Sequence, residues 1–198
     1  MTPNLFHPLQ KLAERVRRFA EDTRGTLTVE TALMMPMLAF FYVATFVWFD
    51  AFRAQNTITK ATYTIADMVS RETLPISNEY LSAMSDVFDW LTYSQAPTQL
   101  RFTTAKCTED CEDDAARKLE MCWSWATSDI QEHTNTSFEG IEGYIPIMVL
   151  GDTVLIVESF MRYQPVFNVR IDDQVLSSSI IVRPRYAGKI DLGGESCY

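Results

Sequence analysis

Glu30 is the only charge from Gly25 to Phe49, with 24 uncharged residues around it. A carboxylate in that setting can neutralise an amine where low dielectric strengthens the attraction, and an acid at the edge of a membrane helix reads as functional by default. Glu109-Asp110-Cys111-Glu112-Asp113-Asp114 holds five acids in six residues. Such hard oxygens suit calcium, but the Gly-containing spacing of an EF-hand loop is missing, and the plainer reading is a solvated loop pinned by Cys107 and Cys111. Cys107, Cys111, Cys122 and Cys197 make an even set of thiols, which points to two disulfides with all three connectivities open. Cys-x3-Cys followed by ten residues and a third Cys is not a zinc spacing. His133 stands in the polar run 128–134 with no nucleophile motif beside it. There is no Gly-x-Ser-x-Gly, His-Glu-x-x-His, P-loop or dinucleotide fingerprint, so the expectation is no enzyme, no metal and no cofactor. Trp123 and Trp125, two apart, read as core, with a glycan-binding groove as the sharper alternative.

The elements that must position these groups begin with Thr31–Phe49, 19 residues without a charge. At about 1.5 Å per residue this stretch nearly crosses a hydrocarbon core of roughly 30 Å. It is too long for the apolar region of a secretory signal peptide, and it ends in Trp48-Phe49-Asp50 instead of a small-x-small cleavage site. Trp48 suits the far interface. Five bases face three acids in residues 1–25, whereas twelve bases face 23 acids in the remainder. The bias of positive flanks toward the cytoplasm predicts one membrane pass, with the N-terminus inside and residues 50–198 outside. All four cysteines fall on the outer side of that pass, where an oxidising compartment favours disulfides. The net charge of −9 over 198 residues argues against a nucleic-acid partner.

A basic leader ending in Gly25, an acid five residues later at Glu30, and an apolar helix behind it form the prepilin pattern. The stretch 24–46, RGTLTVETALMMPMLAFFYVATF, resembles the N-termini of TadE/TadG-like minor pseudopilins of the tight-adherence (Tad, or Flp) pilus system. The resemblance covers residues 15–60. It implies that prepilin peptidase cuts after Gly25 and leaves Thr26 as the new N-terminus. It also implies that Glu30 meets the α-amino group of a neighbouring subunit. The implied partners are other pilins and pseudopilins, the Tad assembly platform, the peptidase and membrane lipid. The implied role is pilus assembly for adhesion, with incorporation into the extracellular filament. Thr31 departs from the aromatic Tyr of the major Flp pilins, and the exported domain is far larger than theirs. Both departures favour a minor subunit over the bulk filament protein. The competing reading is an uncleaved anchor carrying an exported ligand-binding or sensing domain.

Ile58, Ala61, Ile65, Met68 and Val69 keep helical spacing beyond the membrane, so one helix is expected from about Thr26 to about Arg71, with Pro36 inside it. Leu74-Pro75 ends it, and Ser77 is the expected N-cap of a second helix carrying Tyr80, Leu81, Met84, Val87, Phe88 and Leu91. Strands are expected at Leu100–Phe102, at Leu119–Ala126 by strict alternation, at Thr153–Met161 and at Ser178–Val182. The expected class is α+β: a long N-terminal helix, its inner half transmembrane, packed with a second helix on a C-terminal antiparallel sheet, an arrangement that agrees with a pilin-like architecture. The expected divisions are a leader at 1–25, a transmembrane and assembly helix at 26–50, and an exported disulfide-bearing domain at 51–198.

Overall fold

A computed structural model describes residues 6–21, 26–94, 97–167 and 171–197. Two helices open the chain, α1 (Phe6–Glu21) and the 45-residue α2 (Thr26–Ser70). Then follow α3 (Asn78–Thr92), β1 (Gln99–Glu109), β2 (Lys118–Ala126), the short α4 (Asn135–Glu139), a 3-10 turn at Glu142–Tyr144, β3 (Thr153–Tyr163) and β4 (Gln174–Val182). The class is α+β. The chain divides into two compact units, Met1–Phe46 and Val47–Tyr198.

In the first unit, the described part of α2 exposes its apolar side chains all round, with Leu27, Leu33, Met35 and Phe40 each at least 59% exposed. The helix is long and apolar enough to cross a membrane. Two of its hydroxyls bond back to the helix, Thr31 to the carbonyl of Leu27 and Thr45 to that of Phe41, both at 2.8 Å. A helix that must stand in hydrocarbon meets its polar needs in this way. Pro36 lies within an unbroken helical run.

The second unit is built on one antiparallel sheet in the order β2-β1-β3-β4. One face carries Leu100, Phe102, Leu155, Val157 and Ile180 into a core shared with Ile58, Ile65 and Val69 of α2 and Leu81, Met84 and Phe88 of α3. Ile58, Ala61, Ile65 and Val69 of the expected periodicity form the buried stripe of α2, whereas Met68, at the edge of that arc, is exposed; burial of each large apolar side chain contributes roughly 1.5–3 kcal/mol. A buried hydroxyl pair, Thr62 and Ser159 at 2.6 Å, fixes the register of α2 on the sheet. Ser77 caps α3 by accepting from the amide of Tyr80 at 3.2 Å. The C-terminal segment closes this side. The amide of Ile76 donates to Asp191, that of Gly193 donates to Ile76, and the indole of Trp123 donates to the carbonyl of Ile190 at 2.8 Å. Gly193 holds the reversal at φ +60, a conformation that favours glycine.

The alternation read in β2 does not put all its apolar residues on one face. The ladder shifts between Thr104 and Ala105, so that Thr104 pairs with Trp123 and Ala105 with Met121, leaving Cys122 as the extra residue of a bulge. Trp123 and Trp125 turn toward the α2 side, while Leu119 and Met121 join a second core on the opposite face. That core contains Ala105, Cys107, Cys111, Phe138, Ile145 and Met148, with Val154 and Ile156 of β3. Its cover is the segment 127–151, including α4, which no periodicity announced.

Candidate functional site

Thr26 is the first residue of α2, and Glu30 follows within its second turn; Gly25 lies outside the described residues. The four positions between Thr26 and Glu30 advance about 6 Å along the axis. Glu30 is exposed and enters no ion pair among the described residues. It stands on a helix whose neighbouring side chains, Leu27, Val29, Leu33 and Met34, are apolar and exposed. An amine brought to this position from outside the chain would meet a carboxylate with no competing cation among the described residues.

The second unit begins within the segment assigned to the membrane. Val47 is already buried at 1% exposure, and Asp50 accepts a 2.9 Å bond from the hydroxyl of Tyr163 on β3. Burial, then the Asp50 bond and charge, push the Tyr163 phenol up to about 12. Gln55 donates to the carbonyl of Ser177 at 3.1 Å. These two polar ties clamp the emerging helix to β3 and β4 at the turn where the apolar run ends.

The cysteines pair as Cys107–Cys111 and Cys122–Cys197, with Cα separations of 5.9 and 5.0 Å. The first closes the end of β1 beside the acidic turn, where Asp110 adopts φ 47. The second ties the C-terminal segment to the bulge of β2. Three of the five acids are engaged within the chain: Glu109 pairs with Lys118, Asp114 with Arg117 at 2.9 Å, and Asp113 accepts from the amide of Ala115 at 3.0 Å. Among the described residues no group of three or more His, Cys, Asp or Glu is arranged to hold a metal ion.

Sequence reasoning missed a buried ionic cluster. Glu158 of β3 receives both Nε (2.7 Å) and Nη2 (3.0 Å) of Arg101 on β1, and His133 Nε2 lies 2.8 Å from the same carboxylate. The other imidazole nitrogen lies 3.0 Å from the hydroxyl of Ser137. Arg101 also sits over the ring of Phe160 and donates to the carbonyl of Gln131 at 3.2 Å. Burial alone would raise the Glu158 carboxyl; the hydrogen bonds and charge of Arg101, then those of His133, override it and hold the acid below the usual carboxylate range. Ser137 is occupied in the capping box of α4, with Thr134. Its hydroxyl is thus already committed to the helix end, and the cluster works as a tie of segment 127–137 to the sheet. The pairing of Arg101 and Glu158 across β1 and β3 is invisible until the register is known.

Trp123 is core, as expected, and Trp125 is half-buried against Phe102. Trp125 also lines an open cleft of about 510 Å³ with Asn78, Glu132, Gly194 and Glu195. Comparison of the chain with protein-family models, with curated proteins and with solved structures finds no match.

Proposed function

We propose that this chain is a membrane-anchored assembly subunit of the kind it resembles, a TadE/TadG-like minor pseudopilin of a Tad-type pilus. Residues 1–25 are its cytoplasmic leader, removed by prepilin peptidase. Residues 26–50 pack against other pilin helices in the bilayer or the filament. The α+β domain, pilin-like in this reading, is exported to the periplasm under its two disulfides and serves adhesion through the pilus and its assembly platform. The observation that carries the reading is Glu30, a lone exposed carboxylate on an apolar helix, five residues after Gly25. Cleavage would create an ammonium at Thr26. A neighbouring subunit's Glu30 would neutralise it across a helix–helix boundary, and burying either charge alone would cost several kcal/mol. The pair would therefore set the axial stagger between subunits. This role requires no catalytic group.

The first test is the N-terminus of the membrane-extracted protein, read by intact mass and terminal sequencing with and without the peptidase. The expected result is a start at Thr26 that depends on the peptidase. A start at Met1 under both conditions would overturn the reading. Glu30→Ala is then expected to lower incorporation and co-purification with other pilins while leaving the exported domain folded. Unchanged pilus number and co-purification in that variant would remove the role of Glu30.

A second reading, an uncleaved anchor whose exported domain binds a ligand, is favoured by the Trp125 cleft, which joins an aromatic wall to the side chains of Asn78, Glu132 and Glu195. It predicts that Glu30 is dispensable and that Trp125→Ala abolishes binding of an oligosaccharide probe.

A further inference from the structure

The leader has a pattern that charge alone does not require. At 100° per residue, the positions of Leu9, Leu12, Ala13, Val16, Phe19 and Ala20 in α1 fall within an arc of about 120°. The positions of Lys11, Arg15 and Arg18 fall within about 60° on the opposite side, with the acid Glu14 beside them, and Arg17 and Glu21 pair with each other at 3.0 Å. Where its side chains are described the apolar arc has no cover: Val16 is 62% and Phe19 87% exposed, and none of residues 14–21 is buried. Apolar side chains opposite an arc rich in Lys and Arg are the pattern of helices that lie in a membrane interface.

Continuity with α2 supplies the occupant. Glu21 and Thr26 are joined by five peptide links, which span at most about 17 Å when fully extended. If α2 crosses the bilayer, the end of α1 is held within that distance of the cytoplasmic surface, where anionic lipid attracts a basic helix. We infer that α1 lies in the plane of the cytoplasmic leaflet, with the arc of Val16 and Phe19 sunk to the acyl boundary and Arg15 and Arg18 on anionic headgroups. The leader then acts as a lipid-bound float that presents the segment up to Gly25 at the depth where a membrane peptidase works. This inference rests on the transmembrane reading of α2.

The test uses the full chain in vesicles containing phosphatidylglycerol, with one nitroxide at a time. The described cysteines are all in disulfides, so an added cysteine is the only labelling site among them. Labels go on Val16→Cys and Phe19→Cys, on Arg15→Cys and Arg18→Cys, and on Leu38→Cys as a reporter of the span. Collisions with oxygen and with a water-soluble nickel chelate are compared. The expected result is an inversion: oxygen preferred at 16 and 19, chelate preferred at 15 and 18, and a weaker contrast in purely zwitterionic vesicles. Equal chelate access at all four positions, with Leu38 shielded from chelate, overturns the inference while leaving the span intact. Chelate access at Leu38 overturns both. Shielding of 16 and 19 from both reagents that grows with protein density assigns the arc to a second copy and overturns the lipid assignment.

Discussion

The two faces of the sheet are held by different physics. On the α2 side, residues far apart in sequence meet through continuous apolar packing: Ile58 and Ile65, Phe88, Phe102 and Leu155 are all fully buried. Polar ties are few within that core, the Thr62–Ser159 hydroxyl pair and the Trp123 indole on the carbonyl of Ile190 among them. On the opposite side an apolar patch around Phe138 and Met148 gives way to the cluster of Arg101, Glu158 and His133. Apolar packing tolerates many partners and needs mainly volume. A buried carboxylate needs its guanidinium and imidazole in one geometry, and loses heavily when either leaves. The first face thus binds the long helix, and the second locates one specific loop, 127–137.

The largest effects test that division directly. Phe88→Ala is expected to cost about 3–5 kcal/mol by cavity formation. Glu158→Ala is expected to cost a similar amount, about 3–5 kcal/mol, because Arg101 is left without its carboxylate. Their pH dependence separates them. Glu158 has a folded pKa below its unfolded value, so its stabilisation is complete above the unfolded value and fades as pH falls through the folded one. Urea unfolding of the two variants against the parent should give a gap that narrows on acidification for Glu158→Ala and persists for Phe88→Ala. A pH-independent gap for Glu158→Ala would mean that the residue serves as filler, and the contrast between the faces would fail.

The disulfides divide in the same way. Cys122–Cys197 closes a separation of 75 residues on the α2 side, whereas Cys107–Cys111 closes only 4 in the second core. Loop entropy gives about 4 kcal/mol for the first and about 2 for the second. Cys197→Ser, measured beside Cys122→Ser, should therefore lower stability about twice as much as Cys107→Ser beside Cys111→Ser. Equal losses would show that native contacts, and not chain closure, dominate both bonds.

Tyr80 adds a test at the alkaline end. Burial, then the hydrogen bond and charge of Glu72, raise its phenol to about 12. A raised folded value gives stability that is present below the unfolded value and lost as pH rises through the folded one. The parent should lose stability between about pH 10 and 12, and Tyr80→Phe should lose less over that window. Tyr163 titrates in the same range against Asp50, so Tyr80→Phe and Tyr163→Phe together should flatten the alkaline limb further.

What was legible follows from which forces have a period. α2 was readable to within a residue at its outer end because Ile58, Ala61, Ile65 and Val69 repeat helically, and α3 because Ser77 precedes an apolar run. β3 and β4 were readable from their β-branched runs, though each strand extends further than its densest stretch. The bulge at Cys122 was not, since alternation in β2 continues unbroken through it while the partner strand changes register. The ionic cluster was not, since Arg101, His133 and Glu158 come from three segments and none has a local signature. Glu30 stood out for the opposite reason: it is conspicuous against an uncharged background, whatever the fold around it.

The smallest effects concern the helix caps, one on each face. Ser77 caps the 15-residue α3, and Thr134 caps the five-residue α4 through its reciprocal box with Ser137. Replacing either by Ala should cost about 1 kcal/mol. The consequences should differ in kind. α3 retains Leu81, Met84 and Phe88 in the main core, so Ser77→Ala should lower global stability with little local opening. α4 has only Phe138 buried, and a helix so short cannot persist on its own propensity. Thr134→Ala should therefore appear first as faster amide exchange over 134–139, and should loosen the hydroxyl that His133 contacts through Ser137. If exchange there were unchanged while global stability fell, the loop would be held by Glu158 alone, and the second face would be simpler than its cap geometry implies.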